Sequence, residues 1–240
     1  MTTDIQQTPF VKQLAANDRP TRDAAVSSLR TYLSGRRDLP ANELLKLWKG
    51  LFYCMWMSDR PRTQASLADS LADLVTVLPP SNTVPFLRAF WQTMQREWTN
   101  IDVLRMEKFL LLARRYVGVM FKVMESSGWE GEMVEGLLGV LGEVPCNVED
   151  NRIPNGMRFH VIDIYVDELE RVGLLKEEVE GREEILERVL EPLRGLAKGS
   201  PTKPVRVKAK EALEDERLPG NEKVEGGEEK EDDGWGGFED

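Results

Sequence analysis

Apolar residues in this chain recur every three to four positions, with short breaks, to about residue 200, the spacing of one face of an α-helix. The densest stretch is residues 48–61, WKGLFYCMWMSDRP. Eight of its first ten residues are apolar or aromatic, and no charge falls between Lys49 and Asp59. On a helix over 41–58, Leu44, Trp48, Leu51 and Met55 form one stripe, Leu45, Phe52 and Trp56 a second, and Leu47 and Cys54 a third. Glu43, Lys46, Lys49 and Tyr53 remain as a thin polar strip. A helix this apolar must be covered on several sides.

The same periodicity predicts the other elements. A first amphipathic helix covers 8–17, and a second opens at Pro20 and Thr21 and stops at Gly35. After the central helix, Asp59 is placed to cap a helix with Pro61 in its first turn, running to Leu78 before Pro79 and Pro80. Thr83 is placed to cap a helix to Trp98. Thr99 and Asp102 have the spacing of a capping box for the longest helix, which runs to about Glu125 and closes at Gly128. Its expected core face is Met106, Phe109, Leu110, Ala113, Val117, Met120 and Met124. Residues 129–143 read as a weaker helix, since glycines 131, 136, 139 and 142 lower helix stability or admit a close neighbour. A loop over 144–155 precedes helices at 156–172 and 181–198, the last broken at Pro192.

Helices joined by short turns, with no strand alternation, predict an all-α fold of antiparallel hairpins. These stack in a HEAT-like or irregular solenoid, with a compact irregular bundle as the competing arrangement. The expected domain covers residues 1–198. From 199 a short basic patch (Lys203, Arg206, Lys208, Lys210) leads into residues 211–240, where 13 acidic residues face 3 basic ones in a composition expected to be disordered.

No apolar run reaches the about 20 residues of a membrane span, and the N-terminus lacks a secretory pattern. The two cysteines, far apart, suit free thiols in a reducing compartment. The net charge of −10 is uneven: residues 1–125 hold 17 Lys and Arg against 12 Asp and Glu, the remainder 15 against 30. A nucleic acid would therefore meet the N-terminal half.

Catalytic signatures are missing: no phosphate-binding loop, no metal-spaced Cys/His cluster, no nucleophile elbow. No cofactor or small-molecule substrate is expected. The lone histidine, His160, is either a general base or a structural residue. Asp163 and Asp167, at i and i+4, are either the carboxylates of a metal-dependent nuclease or a solvated acidic face. The sharper signal is a basic stripe on the longest helix. Arg105, Lys108, Arg115 and Lys122, with Arg96 and Arg114 nearby, span about 26 Å at 1.5 Å per residue. They are candidates for a phosphate backbone, or a solvent face trimmed by Asp102 and Glu125. Arg36, Arg37, Arg60 and Arg62 add basic turns. Trp48, Trp56, Trp91 and Trp98 have the spacing of core residues and the rings of base-stacking ones. Trp235 and Phe238, in the acidic tail, are either a partner-binding peptide motif or inert.

Three stretches carry a resemblance: WKGLFYCMWMSDRP (48–61), FWQTMQREWTNID (90–102) with Leu104-Arg105 and Lys108-Phe109, and PNGMRFHVIDIYVDELERVG (154–173). Together with Thr21-Arg22-Asp23 they resemble the eukaryotic nucleolar ribosomal RNA processing protein 1 family over roughly residues 8–198, with Trp48, Phe52, Trp56, Trp91, Trp98 and Phe109 as the structural core of the motifs. The resemblance implies a non-catalytic scaffold of the nucleus and nucleolus. It would act in biogenesis of the large (pre-60S) subunit, binding other assembly factors and precursor rRNA and supporting internal-spacer processing. It departs from the family in its acidic tail, where members commonly carry a long, often basic extension. The alternatives from the residues alone are a metal-dependent ribonuclease and a helical-repeat adaptor unrelated to ribosomes.

Overall fold

A computed structural model describes residues 12–35 and 38–221. Its described elements are α1 (Arg19–Ser34), α2 (Ala41–Trp56), α3 (Pro61–Ala72) with a 3-10 turn at Asp73–Val77, and α4 (Pro80–Glu97) with a 3-10 turn at Trp98–Asn100. There follow α5 (Val103–Ser126), α6 (Gly131–Glu143), α7 (Asn155–Arg171), α8 (Arg182–Val189), α9 (Glu191–Gly199) and α10 (Lys203–Leu213). No strand occurs among the described residues. The fold is all-α.

Local chemistry sets the helix ends. The Asp18 carboxylate accepts the Thr21 amide at 3.0 Å and starts α1, with Pro20 in the first turn, where a missing N–H costs nothing. Three expected caps fall elsewhere. Arg60 rather than Asp59 occupies the cap position of α3. α4 begins at Pro80, three residues before Thr83, because a proline at the first helical position is already set to the helical φ. Asp102 is itself the cap of α5, accepting the Arg105 amide at 3.1 Å, while Trp98–Asn100 turn separately. The expected helix over 8–17 lies largely outside the described residues, and only Lys12 and Gln13 are helical.

Alternate helices are neighbours, with the short α8 and α9 counting as one broken helix. α2 packs on α4, α4 on α6 and α6 on α9, while α3 packs on α5, α5 on α7 and α7 on α10. Contacts between α5 and α7 climb together, from Leu110–His160 to Arg114–Glu168, so these two helices run in the same sense. Trp48 stands at the crossing of the two sets. Its indole N–H donates to the Phe86 carbonyl at 3.0 Å, and its ring lies 5.0, 4.9 and 5.1 Å from Phe86, Phe90 and Tyr116. Phe90 and Tyr116 stack at 3.9 Å, and the Tyr116 hydroxyl donates to the Leu71 carbonyl at 2.7 Å. One aromatic node thus joins α2, α3, α4 and α5. Further along, Phe121 meets Tyr165 edge-on, and the Tyr165 hydroxyl reaches the Val189 carbonyl of α8.

The packed body does not end at residue 198. Val205 and Ala209, four apart on α10, are fully buried, and Leu218 beyond it is buried too. The Arg217 guanidinium then clasps Asp167, Glu170 and Asp215. The lysines of 203–210 masked a two-residue apolar stripe.

The glycines of α6 differ in kind. A Cβ on Gly136 would lie 2.9 Å from Cγ2 of Val84, a β-branched side chain with little rotamer freedom, whereas one on Gly139 would meet nothing within 4 Å. Gly136→Ala is expected to destabilise the fold by about 1–2 kcal/mol through overpacking. Gly139→Ala is expected to stabilise it by up to about 1 kcal/mol through helix propensity. Urea unfolding of the two variants checks the contrast.

Candidate functional site

The basic stripe of α5 is present in the backbone, but its side chains meet four different environments. Lys108 is buried. Its Nζ donates to the carbonyls of Trp56 at 2.6 Å and Ser58 at 2.7 Å, at the C-terminus of α2. Burial, and next the neighbouring Arg105 charge, bring its pKa down to about 8. Lys108 is therefore corrected from a phosphate contact to a clamp on the negative end of a helix. Arg22, also buried, donates to the next carbonyl in the same turn, that of Met57, at 3.1 Å, and to those of Ala16 and Asn17.

Arg105 pairs with Asp102, and its guanidinium lies 4.7 Å from the ring centroid of Trp56. Arg115 reaches Asp69 of α3 at 2.6 Å, and Lys122 pairs with Glu125 in the last turns of α5. Arg114 faces the other way, toward α7, where it pairs with buried Glu168 at 2.6 Å and with Asp167 at 3.2 Å. Arg96 pairs with its neighbour Glu97. Arg60 and Arg62 are exposed and make no ion pair among the described residues. Arg36 and Arg37 lie outside the described residues, as do Trp235 and Phe238.

The aromatic candidates are placed by the same packing. Trp48, Phe52, Trp91, Trp98 and Phe109 are buried, and Trp56 is half-buried under Arg105. The Trp91 indole donates to the Met120 sulfur at 3.2 Å. A buried ring whose N–H is already engaged offers no face to a base.

Asp163 and Asp167 do not converge as an open pair of carboxylates. Asp163 meets Lys208 at 2.5 Å, and Asp167 meets both Arg114 and Arg217. Among the described residues no group of three or more His, Cys, Asp and Glu side chains is arranged to hold a metal ion. His160 Nε2 donates to the Leu110 carbonyl at 2.8 Å, which fixes the tautomer, and burial lowers its pKa. Both cysteines are free and buried, with thiols pushed up to about 12 by burial. No helix of the described residues is long and apolar enough to cross a membrane.

Sequence reasoning missed two buried arginines with structural work. Besides Arg22, Arg158 donates to the carbonyls of Asn147, Asp150 and Ile153 and so organises the loop before α7. Their signal was slight: each sits in the second turn of its helix, one Thr21-Arg22-Asp23, the other within PNGMRF. It also passed over Val103 and Leu104, which lie outside the apolar face of α5 and stand in solvent.

Removing the Lys108 ammonium strips two carbonyls of a donor. Lys108→Met is expected to destabilise the fold by about 1–3 kcal/mol. Lys122→Met, at a side chain 63% exposed, is expected to stay within about 0.5 kcal/mol. Between pH 8 and the ordinary lysine value of 10.5 the unfolded chain binds the extra proton, so the wild-type fold gains stability as pH rises across that window. The gain disappears in Lys108→Met; urea midpoints at pH 8 and 10 measure both effects.

The family described as "Nucleolar protein, Nop52" matches residues 5–235. The Homo sapiens protein named ribosomal RNA processing protein 1 homolog B is 44% identical over 171 residues, covering 68% of this chain and 22% of that protein. Homolog A of Homo sapiens is 41% identical over 182 residues, covering 72% of this chain and 39% of its own length. The Drosophila melanogaster homolog is 32% identical over 179 residues, 70% of this chain and 25% of that protein. The matched region spans less than half of each of these relatives. A match over nearly the whole chain, on the all-helical body just described, places this protein in the Nop52 family of nucleolar proteins, alongside the ribosomal RNA processing protein 1 homologs.

Proposed function

We propose that this chain is a scaffold for biogenesis of the large ribosomal subunit, acting in the nucleolus by holding other assembly factors and precursor rRNA in place while spacer is removed. The observation that carries this reading is the family membership, whose named relatives are ribosomal RNA processing proteins. The packing of alternate helices supports an architectural role. A succession of α2, α4, α6 and α9 beside α3, α5, α7 and α10 is the neighbour order of stacked hairpins in a HEAT-like solenoid, which offers long open faces to partners.

The chemistry of the side chains supports the same reading. The carboxylates that suggested a nuclease are already neutralised by Lys208, Arg114 and Arg217. RNA contact falls to exposed cations. Arg96 and Lys122, held only by surface ion pairs that contribute about 0–1 kcal/mol, can exchange a carboxylate for a phosphate. Arg114 and Arg115 bridge α5 to its neighbours and are retained for the fold.

The test uses the full chain in its own cells. Tagged protein is expected to sediment with large-subunit precursors, and its depletion is expected to accumulate precursor rRNA that still carries internal spacer. Asp163→Ala, at a side chain 52% exposed, is expected to restore processing fully. Absence from precursor fractions with unchanged rRNA would overturn the scaffold reading, and failure of a stably folded Asp163→Ala to restore processing would point to chemistry at that carboxylate.

A further inference from the structure

The first turn of α5 carries the two most exposed large apolar side chains among the described residues, Val103 at 85% and Leu104 at 89%. They contribute nothing to the core, and they do not stand alone. Lys108, one helical turn beyond Leu104, reaches the carbonyls of Trp56 and Ser58, so Leu104 lies beside the turn that ends α2. There Arg105 covers half-buried Trp56, whose ring belongs to the same cluster as Phe52, and Tyr53, packed edge-on against Phe52, is 40% exposed. Exposed aliphatic groups beside an aromatic shelf mark a surface that another molecule covers.

The charge around this surface states what kind of molecule. Arg60 and Arg62, at the start of α3, are exposed and without an ion pair among the described residues. Asp102 caps α5 and pairs with Arg105. Asp59 and Glu107 are exposed, the charge of the first bearing on Lys108 and that of the second, on the side toward α7, on His160. With Asp102 set against Arg105 and Asp59 against Lys108, Arg60 and Arg62 leave the side toward α3 positively charged.

We propose that this face docks a protein segment in which large apolar side chains are flanked by aspartate or glutamate. The apolar groups cover Val103 and Leu104, and the carboxylates meet Arg60 and Arg62. Cations alone suit RNA equally well, but the two most exposed groups are aliphatic and neither stack on a base nor hydrogen-bond to one, so the observations favour a protein. This deepens the scaffold reading and rests on it for where the partner is sought.

The experiment replaces Leu104 with the photo-crosslinker p-benzoylphenylalanine in the full-length chain. Cells are irradiated, precursor large-subunit particles are purified, and the adduct is sequenced by mass spectrometry. The expected result is one protein segment carrying Asp or Glu on both sides of an apolar adduct residue. Adding Arg60→Glu with Arg62→Glu, under an unchanged melting temperature, is expected to cut adduct yield at least tenfold. An adduct on RNA, on a second copy of this chain, scattered over many proteins, or none at all overturns the proposal, as does a yield indifferent to the charge reversal. If the chain is absent from the particles but the same acidic adduct forms in whole-cell material, the scaffold reading falls and the docking surface stands.

Discussion

The structure depends on one crossing, where the Trp48 indole of α2 meets Phe86 and Phe90 of α4 and Tyr116 of α5. Four large rings bury themselves there, and both polar atoms among them are spent on backbone carbonyls, Trp48 on Phe86 and Tyr116 on Leu71. Each ring contributes roughly 1.5–3 kcal/mol by burial, and edge-to-face contacts add to that. The node fixes α2 and α4 against α3 and α5. The later helices extend the two sets, α6 on α4 and α7 on α5, then, past the short α8, α9 on α6 and α10 on α7.

The second constraint is electrostatic and lies at the far end of α2. Trp56, Met57 and Ser58 present three successive carbonyls at the negative end of the helix, and two buried cations from different helices, Lys108 and Arg22, donate to them. Burial lowers the Lys108 pKa most, followed by the Arg105 charge, with a smaller contribution from Arg22. Carbonyl dipoles rather than carboxylates hold the two buried cations there. The same turn borders the exposed first turn of α5, so the rigidity of the α2 terminus is what positions the candidate docking surface.

Much of the fold was legible in the sequence because helix signals are local. The apolar stripes of 41–56, the helix start at Pro20 and Thr21, the glycine at 35 and the break near Pro192 all act within one or two turns. The errors at Thr83 and Asp59 came from reading side-chain caps where proline geometry set the start. Residues 203–218 were hidden because the four basic residues of 203–210 surround the few apolar ones, and their burial depends on α7, well before them in sequence, as well as on the adjacent α9. The candidate site was less legible for the same reason. Periodicity states which residues share a face of α5, and Lys108, Arg115 and Lys122 do share one. It does not state what covers that face, which is the α2 terminus at Lys108, α3 at Arg115, and solvent at Lys122.

The central claim is that the Trp48 node is the last part of the molecule to come apart, so that the platform behaves as one rigid body under its functional surfaces. Native-state hydrogen exchange tests this directly, by comparing the Trp48 indole N–H with the slowest amides of α4 and α5. The account predicts that all of them exchange only through global unfolding, with one shared free energy and one shared dependence on denaturant. A Trp48 indole that exchanges through a smaller, separate opening, while α4 and α5 remain protected, would contradict it.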